Sequence, residues 1–182
     1  ISAPAANTLT YDGSAKEATA KLDAVSGVTS LPTVGYITYM QNGKTLTSAP
    51  VNAGEYTASI TVGEGENAKT ASVKYTIDKA EPKAEDFNIT TPTEQTYTGQ
   101  PASVTAPTFK AENSKTGMGE VTVKYAAKDS PETAVGNAPT AAGTYTVTFD
   151  VAEGTNYSAV TGLSIGELTI KPAQLGEGEN KA

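Results

Sequence analysis

Apolar and polar residues alternate from Tyr56 to Val62. Tyr56, Ala58, Ile60 and Val62 fall on one side, and Thr57, Ser59 and Thr61 on the other. The stretch from Tyr145 to Val151 repeats the pattern, with Val147 and Phe149 inward and Thr146, Thr148 and Asp150 outward. A period of two with one apolar face predicts antiparallel strands covering a core. Ile37 with Tyr39, and Val121 and Val123 with Tyr125, predict a second strand in each half of the chain. The "QNGK" at 41–44 then supplies an Asn-Gly hairpin turn. A further strand closes each half. Ala71, Val73, Tyr75 and Ile77 share one face, whereas Leu163 and Ile165 are out of phase with Leu168 and Ile170. One extra residue near Gly166 restores the phase, which predicts a β-bulge there.

The two halves are copies of one another. "LTYDG" at 9–13 matches "QTYTG" at 95–99, and "YITY" at 36–39 matches "TVKY" at 122–125, each tyrosine pair being 86 residues apart. Tyr56 and Tyr145 differ by 89 residues, and Ile77 and Ile170 by 93, so the drift is confined to the segments between landmarks. Residues 1–79 form the first copy, 80–173 the second, and 174–182 an acidic, Gly-rich tail or linker. The junction "DKAEPKAEDF" holds Pro82 among alternating charges, the composition of a short, stiff connector. Residues 14–24 contain good helix formers, but Ala18, Ala20, Leu22 and Ala24 alternate, and the counterpart at 102–110 carries Pro107 and β-formers. Both are expected to be strands, because two copies of one sequence should adopt one structure. About six or seven short strands per copy, separated by turn signals, describe a two-sheet sandwich. The expected fold is all-β: two tandem immunoglobulin-like β-sandwich domains. A β-grasp module is the alternative, and it requires a helix across 15–24.

Gly54-Glu55-Tyr56 and Gly143-Thr144-Tyr145 follow Pro50 and Pro139, and each leads into the longest alternating strand of its copy. The arrangement resembles the tyrosine corner of immunoglobulin-like sandwiches, in which a Tyr ring enters the core and its hydroxyl turns back to the chain just upstream. Tyr56, Tyr145, Gly54 and Gly143 are therefore the expected structural site residues. "YDG" at 11–13, "NAGEY" at 52–56, "KAEPKAEDF" at 79–87 and "EGTNY" at 153–157 resemble the MBG-type repeats, bacterial Ig-like modules that occur in tandem in large surface and secreted proteins. The resemblance covers nearly the whole chain, once per copy. It departs at "YTG" in the second copy, and at "ENA" in the first copy where the second has "TNY". It implies a bacterial extracellular or cell-surface setting, no catalytic residues, and neighbouring repeats of the same chain as partners.

Composition narrows the chemistry further. The 182 residues include no Cys, His, Trp or Arg, and all 13 basic residues are lysines. That removes thiol and imidazole catalysis, zinc sites of the usual kind and bidentate phosphate clamps. A net charge of −7 disfavours nucleic acid and favours a monomer. "GEGEN" at 63–67 and 176–180 lacks the dense alternating ligands of a calcium loop. The sequons Asn88-Ile89-Thr90 and Asn156-Tyr157-Ser158 carry little information in a bacterial chain. No apolar run reaches membrane-spanning length, and the chain begins at Ile1 rather than Met, so a soluble piece of a longer protein is expected. Six of the nine tyrosines are paired by the repeat, leaving Tyr36, Tyr75 and Tyr157 for any sugar-stacking surface. The lysines fall mainly at outward phases or turns, as Lys74 and Lys124 do, which disfavours a Lys–Asn isopeptide. The expected protein has no enzymatic activity, cofactor or metal. It acts as a spacer or presents an adhesive region, with a host glycan- or protein-binding module as the runner-up.

Overall fold

A computed structural model describes residues 1–23, 32–112, 115–130 and 135–174. The alternating position Ala24 and the tail 175–182 lie outside the described residues. Ten β-strands and three short 3-10 turns make up the described secondary structure, with no α-helix among the described residues. The chain divides into two compact units. The first comprises Ile1–Ala80, Ala111–Gly117 and Thr155–Tyr157, and the second Glu81–Lys110, Met118–Gly154 and Ser158–Ala182.

In the first unit β1 (Thr38–Gln41), β2 (Lys44–Leu46), β3 (Gly54–Val62) and β4 (Lys69–Ile77) form an antiparallel sheet in the order β2-β1-β3-β4. Asn42 and Gly43 have φ of 48° and 76°, the left-handed pair that lets a two-residue hairpin turn match the strand twist. The alternation of β3 buries Tyr56, Ala58 and Ile60, which share the core with Tyr39, Tyr75 and Ile77. Beyond β4 the chain near the N-terminus runs parallel to its end. The Tyr11 N–H donates to Asp78 O at 2.9 Å, and the Asp78 N–H to Leu9 O at 2.7 Å.

The strand expected over 14–24 is not formed in its described part, apart from an isolated bridge between Ser2 and Thr19. Its donors are satisfied elsewhere: Lys16 N–H by Pro50 O at 2.8 Å and Ala18 N–H by the Tyr39 hydroxyl at 3.1 Å. Ala18 is buried, while Ala20 and Leu22 are exposed. An extended segment whose amides bond to a turn and a side chain needs no ladder. The helix that a β-grasp module requires is equally absent from the described residues 15–23.

The second unit contains β5 (Phe87–Asn88), β6 (Gln95–Thr96), β7 (Thr108–Phe109), β8 (Val121–Ala127), β9 (Gly143–Val151) and β10 (Val160–Lys171). Its main sheet has the order β6-β10-β9-β8, with β6 parallel to the end of β10 and the other pairs antiparallel; β5 and β7 form a separate antiparallel pair. Of the strand expected over 102–110, only Thr108–Phe109 is a strand. Phe87, Tyr125, Val147, Phe149, Val151, Leu168 and Ile170 fill the core, and Phe87 meets Phe149 edge-to-face at 5.0 Å. Burying each such side chain contributes roughly 1.5–3 kcal/mol. The pairing of β10 with β9 shifts register between Ser164 and Gly166, so the bulge lies where the phase change predicts it. A second shift follows Val160, and there Gly162, at φ 77°, donates its N–H to Asp150 Oδ1 at 2.9 Å. The fold is all-β and built of several sheets, consistent with a β-sandwich.

Candidate functional site

Most of the tyrosine hydroxyls are bonded to the chain itself, and several bonds recur at matching positions of the two copies. The Tyr56 hydroxyl donates to Asn52 O at 2.8 Å, and the Tyr145 hydroxyl to Ala141 O at 2.9 Å, each four residues upstream. The Tyr39 hydroxyl accepts the Ala18 N–H at 3.1 Å, and the Tyr125 hydroxyl the Val104 N–H at 3.0 Å, each spanning 21 residues. Pro50 O accepts Lys16 N–H, and Pro139 O accepts Ala102 N–H, both at 2.8 Å. Gly54 starts the first of the long strands at φ 148°, where a Cβ would also lie 2.6 Å from the Gln41 side-chain amide. At Gly143 the nearest neighbour of a Cβ is the Tyr145 ring at 3.6 Å, an ordinary contact.

The first unit carries two polar features of its own. Tyr75, 7% exposed, donates its hydroxyl to Lys16 O at 2.9 Å. Burial raises its pKa well above the usual phenol range, and the nearby Tyr39 and Tyr56 hydroxyls add to the effect. Tyr56 is raised too, by burial, against a lowering bond from Gln41. The Lys16 side chain is 4% exposed and meets Asp12 Oδ2 at 2.8 Å, so this lysine departs from the outward placement expected of the lysines. Burial pushes the Asp12 carboxyl up, but bonds from Lys16 and Ser14 and the Lys16 charge outweigh it, leaving the pKa lowered. A lysine this buried requires such a partner.

A polar side chain with several partners is one that sequence reasoning set aside as an uninformative sequon. Asn156 is 2% exposed. Its Oδ1 accepts the Ala53 N–H at 2.9 Å, and its Nδ2 donates to Asn52 Oδ1 at 3.0 Å and to Thr116 O at 3.1 Å. Its backbone O accepts the Ala80 N–H at 3.0 Å. Beside it Tyr157 packs edge-to-face on Tyr11 at 5.5 Å, and the Tyr11 hydroxyl accepts the Thr116 N–H at 2.7 Å. All these groups belong to the first unit, which is thus completed by 111–117 and 155–157. The signal that could have found them is the departure of "TNY" from "ENA": Tyr157 is an aromatic ring where the first copy has Ala68.

No tyrosine patch forms from the three left unpaired by the repeat. Tyr36 is 94% exposed, while Tyr75 and Tyr157 are buried. A cleft of about 540 Å³ on the first unit is lined by Met40, Asn42, Glu55, Thr57, Lys74 and Thr76 among others. One carboxylate, one ammonium and hydroxyls there can hydrogen-bond a polar molecule. Among the described residues no three acidic side chains come together as a metal site. No helix of the described residues is long and apolar enough to cross a membrane. No family model, curated protein or solved structure matches the chain.

Proposed function

We propose that the chain is a non-catalytic tandem immunoglobulin-like segment of a bacterial surface or secreted protein, spacing or presenting another region. The observation that carries this reading is the use made of the polar side chains. Tyr11, Tyr39, Tyr56, Tyr75, Tyr125, Tyr145 and Asn156 all bond to backbone and hold loops against sheets. Such a commitment suits a module whose task is to keep its shape. The immunoglobulin-like reading is further supported by the hydroxyl bonds of Tyr56 and Tyr145, each at the head of a central strand. A parallel segment at the edge of an otherwise antiparallel sheet also recurs in both units. The MBG resemblance supplies the surface setting and neighbouring repeats as partners. The test is a glycan array together with a mucin pull-down on the full chain, with no saturable binding expected. Binding that Tyr36→Ala or Lys74→Ala abolishes would replace this reading with a glycan- or host-protein-binding module.

A further inference from the structure

The first unit has a surface formed by Tyr11, Asn52, Ala53 and Ala80, and residues 116, 156 and 157 cover it. The repeat maps Tyr11 onto Tyr97, Asn52-Ala53 onto Ala141-Ala142, and Lys79-Ala80 onto Pro172-Ala173. Those counterparts also come together: Tyr97, Thr140, Ala141, Ala142, Pro172 and Ala173 line a recess of about 530 Å³ on the second unit. The two surfaces differ in cover. Tyr11 is 3% exposed and Tyr97 42%. Ala53 and Ala80 are half-buried, whereas Ala142 and Ala173 are exposed.

We propose that the recess at Tyr97 is an acceptor for a further copy of this repeat, whose Asn-Tyr loop completes the second unit as 155–157 complete the first. The chemistry of the occupied surface defines the occupant. A side-chain amide must accept from the backbone N–H of Ala142, as Asn156 does from Ala53. An aromatic ring must stand edge-on to Tyr97, as Tyr157 stands to Tyr11. A second molecule of this chain cannot supply them, because its own Asn156 and Tyr157 are each 2% exposed within its first unit. A copy of the first kind offers Asn67-Ala68, the amide without the ring. The occupant is therefore a following repeat of the second kind. It finds one contact fewer, since Ala141 lacks the side-chain oxygen of Asn52 that Asn156 uses.

The inference rests on the repeat element of the spacer reading and not on the absence of a ligand, so the glycan and mucin screens can fail without touching it. The chain has no tryptophan, which makes Tyr97→Trp a unique fluorescent reporter. The full chain carrying Tyr97→Trp is compared with the same chain extended after Ala173 by a second copy of residues 81–182. In the extended protein the emission is expected to move to shorter wavelength and acrylamide quenching to fall. Both should revert when Asn156→Ala and Tyr157→Ala are made in the appended copy alone. Tyr11→Trp in the unextended chain gives the covered reference, and it should become solvent-exposed when the same two substitutions are made there. The proposal is overturned if the indole at position 97 stays solvent-like while amide exchange shows the appended copy folded. It is equally overturned if that indole is already shielded in the unextended chain, or if the Tyr11→Trp reference is insensitive to the loss of Asn156 and Tyr157.

Discussion

Tyr11 and Tyr97 occupy the same place in two copies of one motif, yet one is 3% exposed and the other 42%. The sheets beside them have the same parallel edge, and the hydroxyl bonds of Tyr39 and Tyr125 and of Tyr56 and Tyr145 recur at matching positions. What distinguishes the two is the chain that follows. Tyr11 is covered by Thr116 and Tyr157, residues 105 and 146 positions further on. A repeat thus sets the shape of a surface, while the next stretch of sequence sets whether that surface is wet. Equivalent residues need not have equivalent energetics.

The largest expected effect is at the residue that makes the difference. Asn156→Ala leaves Ala53 N–H, Asn52 Oδ1 and Thr116 O without their partner and should destabilise the first unit by about 3 kcal/mol. Asn67→Ala, at the exposed counterpart, should change stability by less than about 0.5 kcal/mol. Denaturant midpoints, with residue-level amide exchange to separate the units, measure both. Next come the tyrosines themselves. Tyr11→Phe removes the acceptor of Thr116 N–H and should cost about 1–3 kcal/mol, whereas Tyr97→Phe should stay within about 0.5 kcal/mol. Equal costs from thermal unfolding of the two variants would erase the comparison.

The corner tyrosines sharpen it. Tyr56 is 4% exposed and its bond is partly buried, while the bond of Tyr145 is exposed. Tyr56→Phe should cost about 1–2 kcal/mol and Tyr145→Phe about half as much, because water can satisfy a carbonyl released at the surface. The smallest effect near neutral pH is a difference in alkaline sensitivity. Tyr75 stands opposite Tyr56 in β4, and its counterpart opposite Tyr145 is Leu168. Burial raises the folded pKa of Tyr75, so its contribution is complete below the unfolded value of about 10 and is lost as pH rises toward the folded one. The first unit should therefore lose protection above about pH 10 before the second. Tyr75→Phe should narrow that difference in an amide-exchange or circular-dichroism titration, leaving the part that the buried Tyr56 contributes.

Local pattern made much of this fold readable. The alternation of β3 and β9, the Asn42-Gly43 turn and the phase slip at Gly166 are each set by neighbours a few residues away, and the structure contains all three. Residues 14–23 show where that logic ends. Their alternation suggested a ladder, but Ala18 N–H goes to a tyrosine hydroxyl 21 residues away, a competitor that periodicity does not register. The pairing of tyrosines by the repeat implied common roles, which holds for Tyr39 with Tyr125 and not for Tyr11 with Tyr97. Asn156 was invisible for the same reason. Its partners, Asn52, Ala53 and Thr116, are 40 to 104 residues away, and only the fold brings them together.

The parallel pairing at the sheet edge also has a mechanical consequence. In the first unit the segment near Tyr11 lies alongside Asp78 in the same direction, and in the second Gln95–Thr96 lies alongside Ile170–Lys171. A pull on the two ends of either copy draws these paired segments past each other along their length. The bonds between them, including Tyr11 to Asp78 and Tyr97 to Lys171, are then loaded together in shear rather than unzipped one after another. Resistance to such a load is governed by the unfolding rate and not by equilibrium stability. A chain built this way can be modest in stability and still hold under tension.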